Sequence, residues 1–189
     1  MRSGKVSIIL VLCLLLCGCS AEHSAMQQAL DFRSALLAAQ SCCFDADVQV
    51  HYAEDLFSFG LSCAYHTDSS AEMTVTSPQT ISGIHAKIGK GGAQLEYEGT
   101  AIALSPLANG NLAPMELPRL LGDCLAGEYI SAAGTDGNRF RVTYLHGYDD
   151  QELTFDVWFS NDACNPEYCE VSYHGEMLLS AQITDFSMN

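Results

Sequence analysis

The side chains that could perform catalysis are numerous, but their spacing matches none of the common catalytic patterns. The chain of 189 residues contains 23 acidic residues, six histidines and nine cysteines. It has neither the G-x-S-x-G pattern of a serine nucleophile nor the H-E-x-x-H pattern of a zinc hydrolase. The segment His146-Gly147-Tyr148-Asp149-Asp150 is typical of a solvated loop, with a carboxylate site for a cation as the weaker alternative. We therefore expect no enzymatic activity, no catalytic residues and no cofactor.

The cysteines form two groups, three near the N-terminus and six in the rest of the chain: Cys13, Cys17 and Cys19, then Cys42, Cys43, Cys63, Cys124, Cys164 and Cys169. Six cysteines in an exported chain favour disulfides. One candidate pair is Cys164 with Cys169, which flank a turn-like segment. The other is Cys43 with Cys63, on runs that we expect to be adjacent and antiparallel. Reduced thiols are the alternative, and the absence of a C-x-x-C pattern argues against a metal site.

The first 18 residues have the pattern of an export signal. Arg2 and Lys5 are positively charged, and residues 6–16 are apolar apart from Ser7, a run too short to span a bilayer. The run ends in Leu16-Cys17-Gly18-Cys19, which resembles the lipobox of bacterial lipoproteins. That resemblance implies cleavage between Gly18 and Cys19 and a diacylglyceryl group on the sulfur of Cys19.

A lipid on Cys19 would hold the mature chain at a membrane. A single acyl chain binds a bilayer only marginally, so a stable attachment needs two or more, which lipidated Cys19 would supply. We expect an extracytoplasmic protein anchored to the bacterial cell membrane, or to the outer membrane in a host with two. Residues 19–24 would form a short tether. An ordinary cleaved signal and an uncleaved membrane helix are the alternatives.

The mature chain is strongly acidic and has the size of one domain. Cleavage removes two basic residues, so 171 residues remain, with six basic against 23 acidic side chains and a formal charge of −17. Such a surface repels phosphate backbones, which excludes nucleic acid as a partner. Residues 25–189 therefore form one domain, and 171 residues suffice to bury a sizeable core.

The apolar pattern of the domain changes from a helical to a strand period. Residues 25–40 predict an amphipathic helix, with Ala25, Ala29, Phe32 and Leu36 on its more apolar side. From residue 44 onward, apolar and polar residues alternate, which predicts antiparallel strands with one covered face. We count about eleven strands, four of them from weaker runs near 83–88, 93–97, 100–105 and 128–133. The pattern breaks at 117–125, which predicts a short helix.

Eleven strands are too many for a flat sheet. We expect a mainly β, α+β domain in which a curved antiparallel half-barrel has its concave face covered by the two helices. This order of elements resembles the LolA, LolB and RseB-like carrier fold. The resemblance rests on residues 29–37 leading into the 44–52 and 57–65 hairpin, and on the proline-containing loop 76–84.

That resemblance implies an apolar ligand cavity on the concave face, with helix 117–125 as a movable lid. The alternating pattern assigns these residues to its walls: Phe44, Val48, Val50, Phe57, Phe59, Leu61, Met73, Val75, Leu120, Leu121, Phe140, Val142, Phe155 and Val157. A plain packed core is the alternative. The expected function is binding of a lipid or another apolar ligand at the membrane. The alternative function is an RseB-like adaptor or sensor that binds a membrane protein partner.

Overall fold

The computed structural model describes residues 24–52, 55–89, 92–96 and 112–189. Helix α1 covers 24–39, as predicted, and α2 covers Leu117–Ala126 after a 3-10 helix at Pro114–Glu116. The ten strands of the described residues are β1 Ser41–Tyr52, β2 Asp55–His66, β3 Ser70–Ser77, β4 His85–Gly89, β5 Gly92–Glu96, β6 Tyr129–Asp136, β7 Arg139–His146, β8 Leu153–Ser160, β9 Pro166–Tyr173 and β10 Glu176–Met188. The predicted strand at 100–105 lies outside the described residues.

All ten strands belong to one open antiparallel sheet. Their order across the sheet is β5-β4-β3-β2-β1-β10-β9-β8-β7-β6. The first and last strands pair in the middle, so the sheet grows outward on each side by successive hairpins. β5 and β6 stand at opposite edges without pairing to each other, which leaves the barrel unclosed as expected.

One face of the sheet carries the core. In β1, Phe44, Ala46, Val48 and Val50 are buried, whereas the residues between them are exposed. Successive strand side chains point to opposite faces, so this alternation places the apolar set on the helix-covered side. The predicted period of two is confirmed in β1, in most of β2, and in β3, β7 and β8.

Helix α1 packs on this face through its side of small and aromatic residues. Ala25, Ala29, Phe32 and Leu36 are buried. The Phe32 ring lies 5.1 Å from the ring of Phe159 in β8, in an edge-to-face arrangement. The two alanines allow the helix to approach the sheet closely, and the phenylalanine fills the space farther along it.

Helix α2 contacts strands in both halves of the sheet, which shows that the sheet curls. It contacts β2 and β3 in one half and β7 in the other, on either side of the central pair β1 and β10. The five strand spacings from β2 to β7 would span about 24 Å on a flat sheet. A ten-residue helix is only about 15 Å long. The sheet therefore wraps around α2, as the predicted half-barrel requires.

Candidate apolar ligand site

An apolar cavity of about 160 Å³ lies at one side of the curled sheet. Strands β2 and β3, the loop between β3 and β4, and the 3-10 helix before α2 contribute its walls. The lining side chains are Phe57, Ser58, Phe59, Val75, Pro78, Ile81, Ile84 and Met115. Ser58 is the one residue among them with a polar side chain, so the cavity offers contact area rather than hydrogen bonds.

The β3–β4 loop folds back onto its own strand to form one wall. The backbone nitrogen of Val75 donates to the carbonyl oxygen of Ile84 at 2.8 Å, and the nitrogen of Gly83 donates to the carbonyl oxygen of Val75 at 2.8 Å. Gly83 has a φ of 89°, in the left-handed region that glycine adopts without a steric penalty. This tight return places Ile84 beside Val75, with Ile81 partly buried above them.

Phe57 stands at the mouth of the cavity. Phe59, two residues farther along β2 on the same face, is buried, but 52% of Phe57 is exposed. An exposed aromatic ring beside an apolar cavity is a surface that an apolar ligand can cover. Apolar cavities of about 150 Å³ hold a molecule the size of benzene, and the volume of this one is similar.

The predicted wall residues divide into a small cavity group and a large core group. Phe57, Phe59 and Val75 line the cavity. The remaining predicted residues are buried against one another or against the helices: Phe44, Val48, Val50, Leu61, Met73, Leu120, Leu121, Phe140, Val142, Phe155 and Val157. The stacked rings of Phe140 and Phe159, 4.8 Å apart, show how side chains fill this part of the concave face.

Four apolar lining residues were not predicted, because they lie outside the strands. Pro78, Ile81 and Ile84 belong to the β3–β4 loop, and Met115 belongs to the 3-10 helix. The spacing of three residues between Pro78, Ile81 and Ile84 was the available signal. It places apolar side chains repeatedly on one side of a turn-rich segment, which is unusual for a solvated loop.

Hydrogen bonds join α2 to the sheet, and the movement of this helix as a lid stays a prediction. Asp123 accepts hydrogen bonds from the Tyr65 hydroxyl at 2.9 Å, from the Ser69 hydroxyl at 2.8 Å and from the Arg119 guanidinium at 2.9 Å. Burial and the neighbouring Asp123 carboxylate raise the pKa of Tyr65, so the hydroxyl stays a donor. The bonds from Tyr65 and Ser69 connect α2 to β2 and to the turn after β2, whereas the Arg119 bond lies within the helix.

A basic residue of α1 holds the C-terminal end of α2. The Arg33 guanidinium donates to the carbonyl oxygens of Cys124 at 3.3 Å, Leu125 at 3.4 Å and Glu128 at 2.7 Å. These carbonyls have no partner within the helix, and a cation there also opposes the negative end of the helix dipole. The guanidinium carbon lies 6.0 Å from the centre of the Tyr144 ring. Arg33 therefore links both helices to the sheet.

The histidine and acidic cluster of 146–150 forms no compact group. His146 Nδ1 lies 2.9 Å from a carboxylate oxygen of Glu128. Asp149 and Asp150 are exposed in a short 3-10 helix. The cluster thus contributes one contact between His146 and Glu128 and a solvated turn, which agrees with the solvated-loop interpretation.

All six cysteines of the described residues are free thiols, including both candidate pairs. In β1 and β2 the register pairs Phe44 with Cys63, and both are buried on the core face. Cys43 is the neighbour of Phe44, so its side chain points away from Cys63. Cys164 and Cys169 likewise stand as separate thiols, Cys164 partly buried and Cys169 fully buried.

Within the described ranges, every helix falls short of the length and apolar composition that a bilayer-spanning segment needs.

The chain is similar to solved structures, although no protein-family model and no curated protein sequence matches it. One similar structure is a LolA superfamily protein from Nitrosomonas europaea, with 10% identity and a TM-score of 0.46 over 89% of this chain and 94% of that one. Another is an outer membrane lipoprotein-sorting protein domain from Vibrio parahaemolyticus, with 7% identity and a TM-score of 0.48 over 89% and 93%. A DUF1329 family protein from Desulfovibrio piger shows 6% identity and a TM-score of 0.43 over 89% and 93%.

Proposed function

We propose that this chain is a membrane-anchored extracytoplasmic lipoprotein that binds the end of a lipid chain or another apolar ligand in the cavity beside Phe57. The observation that carries this proposal is an apolar cavity of about 160 Å³ whose mouth holds a half-exposed phenylalanine. Covering apolar surface is favourable by about 25 cal/mol per Å². A ligand that covers Phe57 and enters the cavity gains this free energy without displacing any internal hydrogen bond.

The anchoring part of the proposal rests on the residues at the start of the chain. Leu16-Cys17-Gly18-Cys19 closes an apolar run behind two positive charges, which is the pattern of a lipidated export signal. Lipidation of Cys19 would keep the cavity within reach of membrane lipids, the most abundant source of apolar chains outside the cytoplasm.

We test the cavity by measuring the affinity of the neutral apolar dye N-phenyl-1-naphthylamine for a parent chain shortened to residues 20–189, which contains every described element. Phe57→Ser removes the ring at the mouth, and we expect dye affinity to fall about tenfold, since burial of a large apolar side chain is worth about 1.5–3 kcal/mol. Leu56→Ser is the matched control. Leu56 is equally exposed, at 57%, but lies on the opposite face of β2 outside the cavity. Its dye affinity should stay within twofold of that of the parent chain.

A chain that binds no dye, or in which both variants bind equally well, would contradict the cavity function. Mass spectrometry of apolar species extracted from the purified chain gives an independent measurement, and we expect acyl-containing molecules. An empty chain that recovers one membrane protein instead would favour the adaptor role, in which the same domain binds a partner protein.

A further inference from the structure

The large exposed hydrophobic side chains gather at one end of the sheet. In the described residues, seven such side chains are between 40% and 88% exposed: Leu30, Leu37, Leu56, Phe57, Tyr129, Tyr148 and Met177. Single exposed apolar residues are ordinary, but a concentration of them marks an interaction surface. Six of the seven lie at a single end, which we call the apolar rim, and Leu37 is the exception.

The strand register locates the rim. One continuous row of paired residues crosses seven strands: Phe57, Val50, Leu179, Val171, Phe155, Tyr144 and Ile130. Three exposed residues lie between this row and the end of the sheet, each one or two positions before the row residue of its own strand. They are Leu56, Met177 and Tyr129. Tyr148 belongs to the connection from β7 to β8 at the same end, and Leu30 of α1 lines a groove together with Tyr129 and Tyr148.

The opposite end of the sheet has a different character. Its turns are built from Thr67-Asp68-Ser69, Gly137-Asn138 and Asn161-Asp162-Ala163, which are polar or small. Leu37 lies at this end, beside Thr67 and Ser69. The contrast shows that the exposed apolar residues are not spread over the surface at random.

The N-terminus of the described chain enters at the rim. Met26, Leu30 and Arg33 line the groove with Tyr129 and Tyr148, whereas Leu37 lies at the other end, so α1 runs away from the rim. Cys19 precedes the start of α1 by five residues, a distance of at most about 18 Å at full extension. Leu30 is about 9 Å farther along the helix axis. Any membrane attached to Cys19 is therefore close to the rim.

We propose that the apolar rim rests against the surface of the membrane that anchors Cys19, and that this contact fixes the orientation of the domain. This inference depends on the proposed anchoring. Tyrosine is enriched where proteins meet the membrane interface, because its ring is apolar and its hydroxyl is polar. The mouth of the cavity opens at the same rim, because Phe57 belongs to both. The orientation thus directs the cavity toward the lipids.

The charges at the rim specify the lipid. Asp55, Asp149, Asp150 and Glu176 are exposed beside the apolar residues. These carboxylates are repelled by anionic head groups but can lie among zwitterionic ones. The rim therefore fits a phosphatidylcholine or phosphatidylethanolamine surface, and contact should weaken as the fraction of anionic lipid increases.

The test uses the full lipidated chain in phosphatidylcholine vesicles that contain a photoactivatable phosphatidylcholine. After illumination, mass spectrometry measures the lipid adducts on each peptide. We expect peptides that contain Leu30, Tyr129 or Tyr148 to carry at least fivefold more adduct than peptides from the 67–70 and 161–165 turns. Leu30→Glu should reduce adduct formation at the rim severalfold. Leu37→Glu, at a similarly exposed position of the same helix, should leave it unchanged.

Different failures separate this inference from the anchoring on which it depends. A chain that carries the diacylglyceryl group and joins the vesicles, but is labelled equally at both ends, overturns the orientation alone. A chain that lacks the lipid and stays outside the vesicles overturns both. If the rim peptides are cross-linked to a second copy of the chain and not to lipid, the proposed contact between rim and membrane is also overturned. Replacing half of the phosphatidylcholine by phosphatidylglycerol should lower rim labelling, and an increase would contradict the assignment of the lipid.

Discussion

At the scale of the residue, burial decides the chemistry of the thiols. Burial is the main cause that raises the pKa of Cys42 and of Cys169 to about 12, and it also raises the pKa of Cys63 and Cys124. The thiolate is the reactive form of cysteine, so these four side chains behave as small apolar groups at neutral pH. They pack the core, and their presence requires no redox role.

We predict that iodoacetamide at pH 8 modifies Cys43 and Cys164 of the folded chain well before the four core cysteines. Cys43 and Cys164 are only partly buried, whereas the core thiols are both protonated and enclosed. Peptide mass spectrometry after timed quenching measures each rate. The control is the same reaction in guanidinium chloride, where all six cysteines of the described residues should react at similar rates. Rapid modification of Cys42 or Cys169 in the folded chain would contradict the described packing.

At the scale of the element, the position of α2 depends on a glycine within the helix. A Cβ atom on Gly122 would overlap with the Tyr65 ring. Glycine weakens a helix interior by about 1 kcal/mol relative to alanine. Here the missing side chain lets α2 lie directly on the ring, and that approach aligns Asp123 with the Tyr65 hydroxyl.

We predict that Gly122→Ala lowers the free energy of unfolding by about 2 kcal/mol, because overpacking a tight contact costs more than the helix propensity returns. The midpoint of urea unfolding measures the change. Gly127→Ala is the control, since Gly127 follows the same helix and no atom lies within 4 Å of its added Cβ. Its unfolding free energy should change by less than about 0.5 kcal/mol. A Gly122→Ala variant as stable as the parent would mean that α2 can shift away from Tyr65.

At the scale of the whole molecule, the sheet has two ends of different character and one covered face. The helices cover the concave face, the polar turns lie at one end, and six of the seven large exposed apolar side chains of the described residues lie at the other. The chain enters at the apolar end. A lipid on Cys19 would hold the apolar end of the sheet near a membrane, so the anchor and the mouth of the cavity would lie at the same end of the molecule.

We predict that the chain incorporates labelled palmitate in bacterial cells, and that Cys19→Ala abolishes the incorporation. The lipobox resemblance places the diacylglyceryl group on the sulfur of Cys19, and alanine has no sulfur to carry it. Cys17→Ala is the matched control, because Cys17 would leave with the cleaved signal, and its labelling should equal that of the parent chain. Palmitate on the Cys19→Ala chain would contradict the assigned position.

Local patterns were sufficient to predict most elements. In β1, the alternation of Phe44, Ala46, Val48 and Val50 with polar residues specifies the buried face without any tertiary information, because strand side chains alternate strictly. The stripe of Ala25, Ala29, Phe32 and Leu36 does the same for α1. These predictions succeed because each depends on the geometry of one element alone.

The site was predicted less well, because it depends on how separate elements meet. Phe57 has the correct alternation phase, yet it is half-exposed, since the sheet end offers it no covering element. Ile81 and Ile84 acquire their role only when the β3–β4 loop folds back on Val75. The hydrogen bonds of Asp123 join it to Tyr65, 58 positions away, and to Ser69, 54 positions away. No local sequence period indicates such contacts.

Residue periodicity determined the elements and the buried face, because these follow from neighbours along the chain. Charge and the pattern before Cys19 led to two expectations, namely that the chain does not bind nucleic acid and that it has a lipid anchor. The tertiary structure decided which part of the concave face stays open, that α2 is hydrogen-bonded to the sheet, and that most of the large exposed apolar side chains share one end. These properties arise from the pairing of distant strands and the curl of the sheet. They depend on contacts between elements that are far apart in the sequence, so no single segment of the chain determines them.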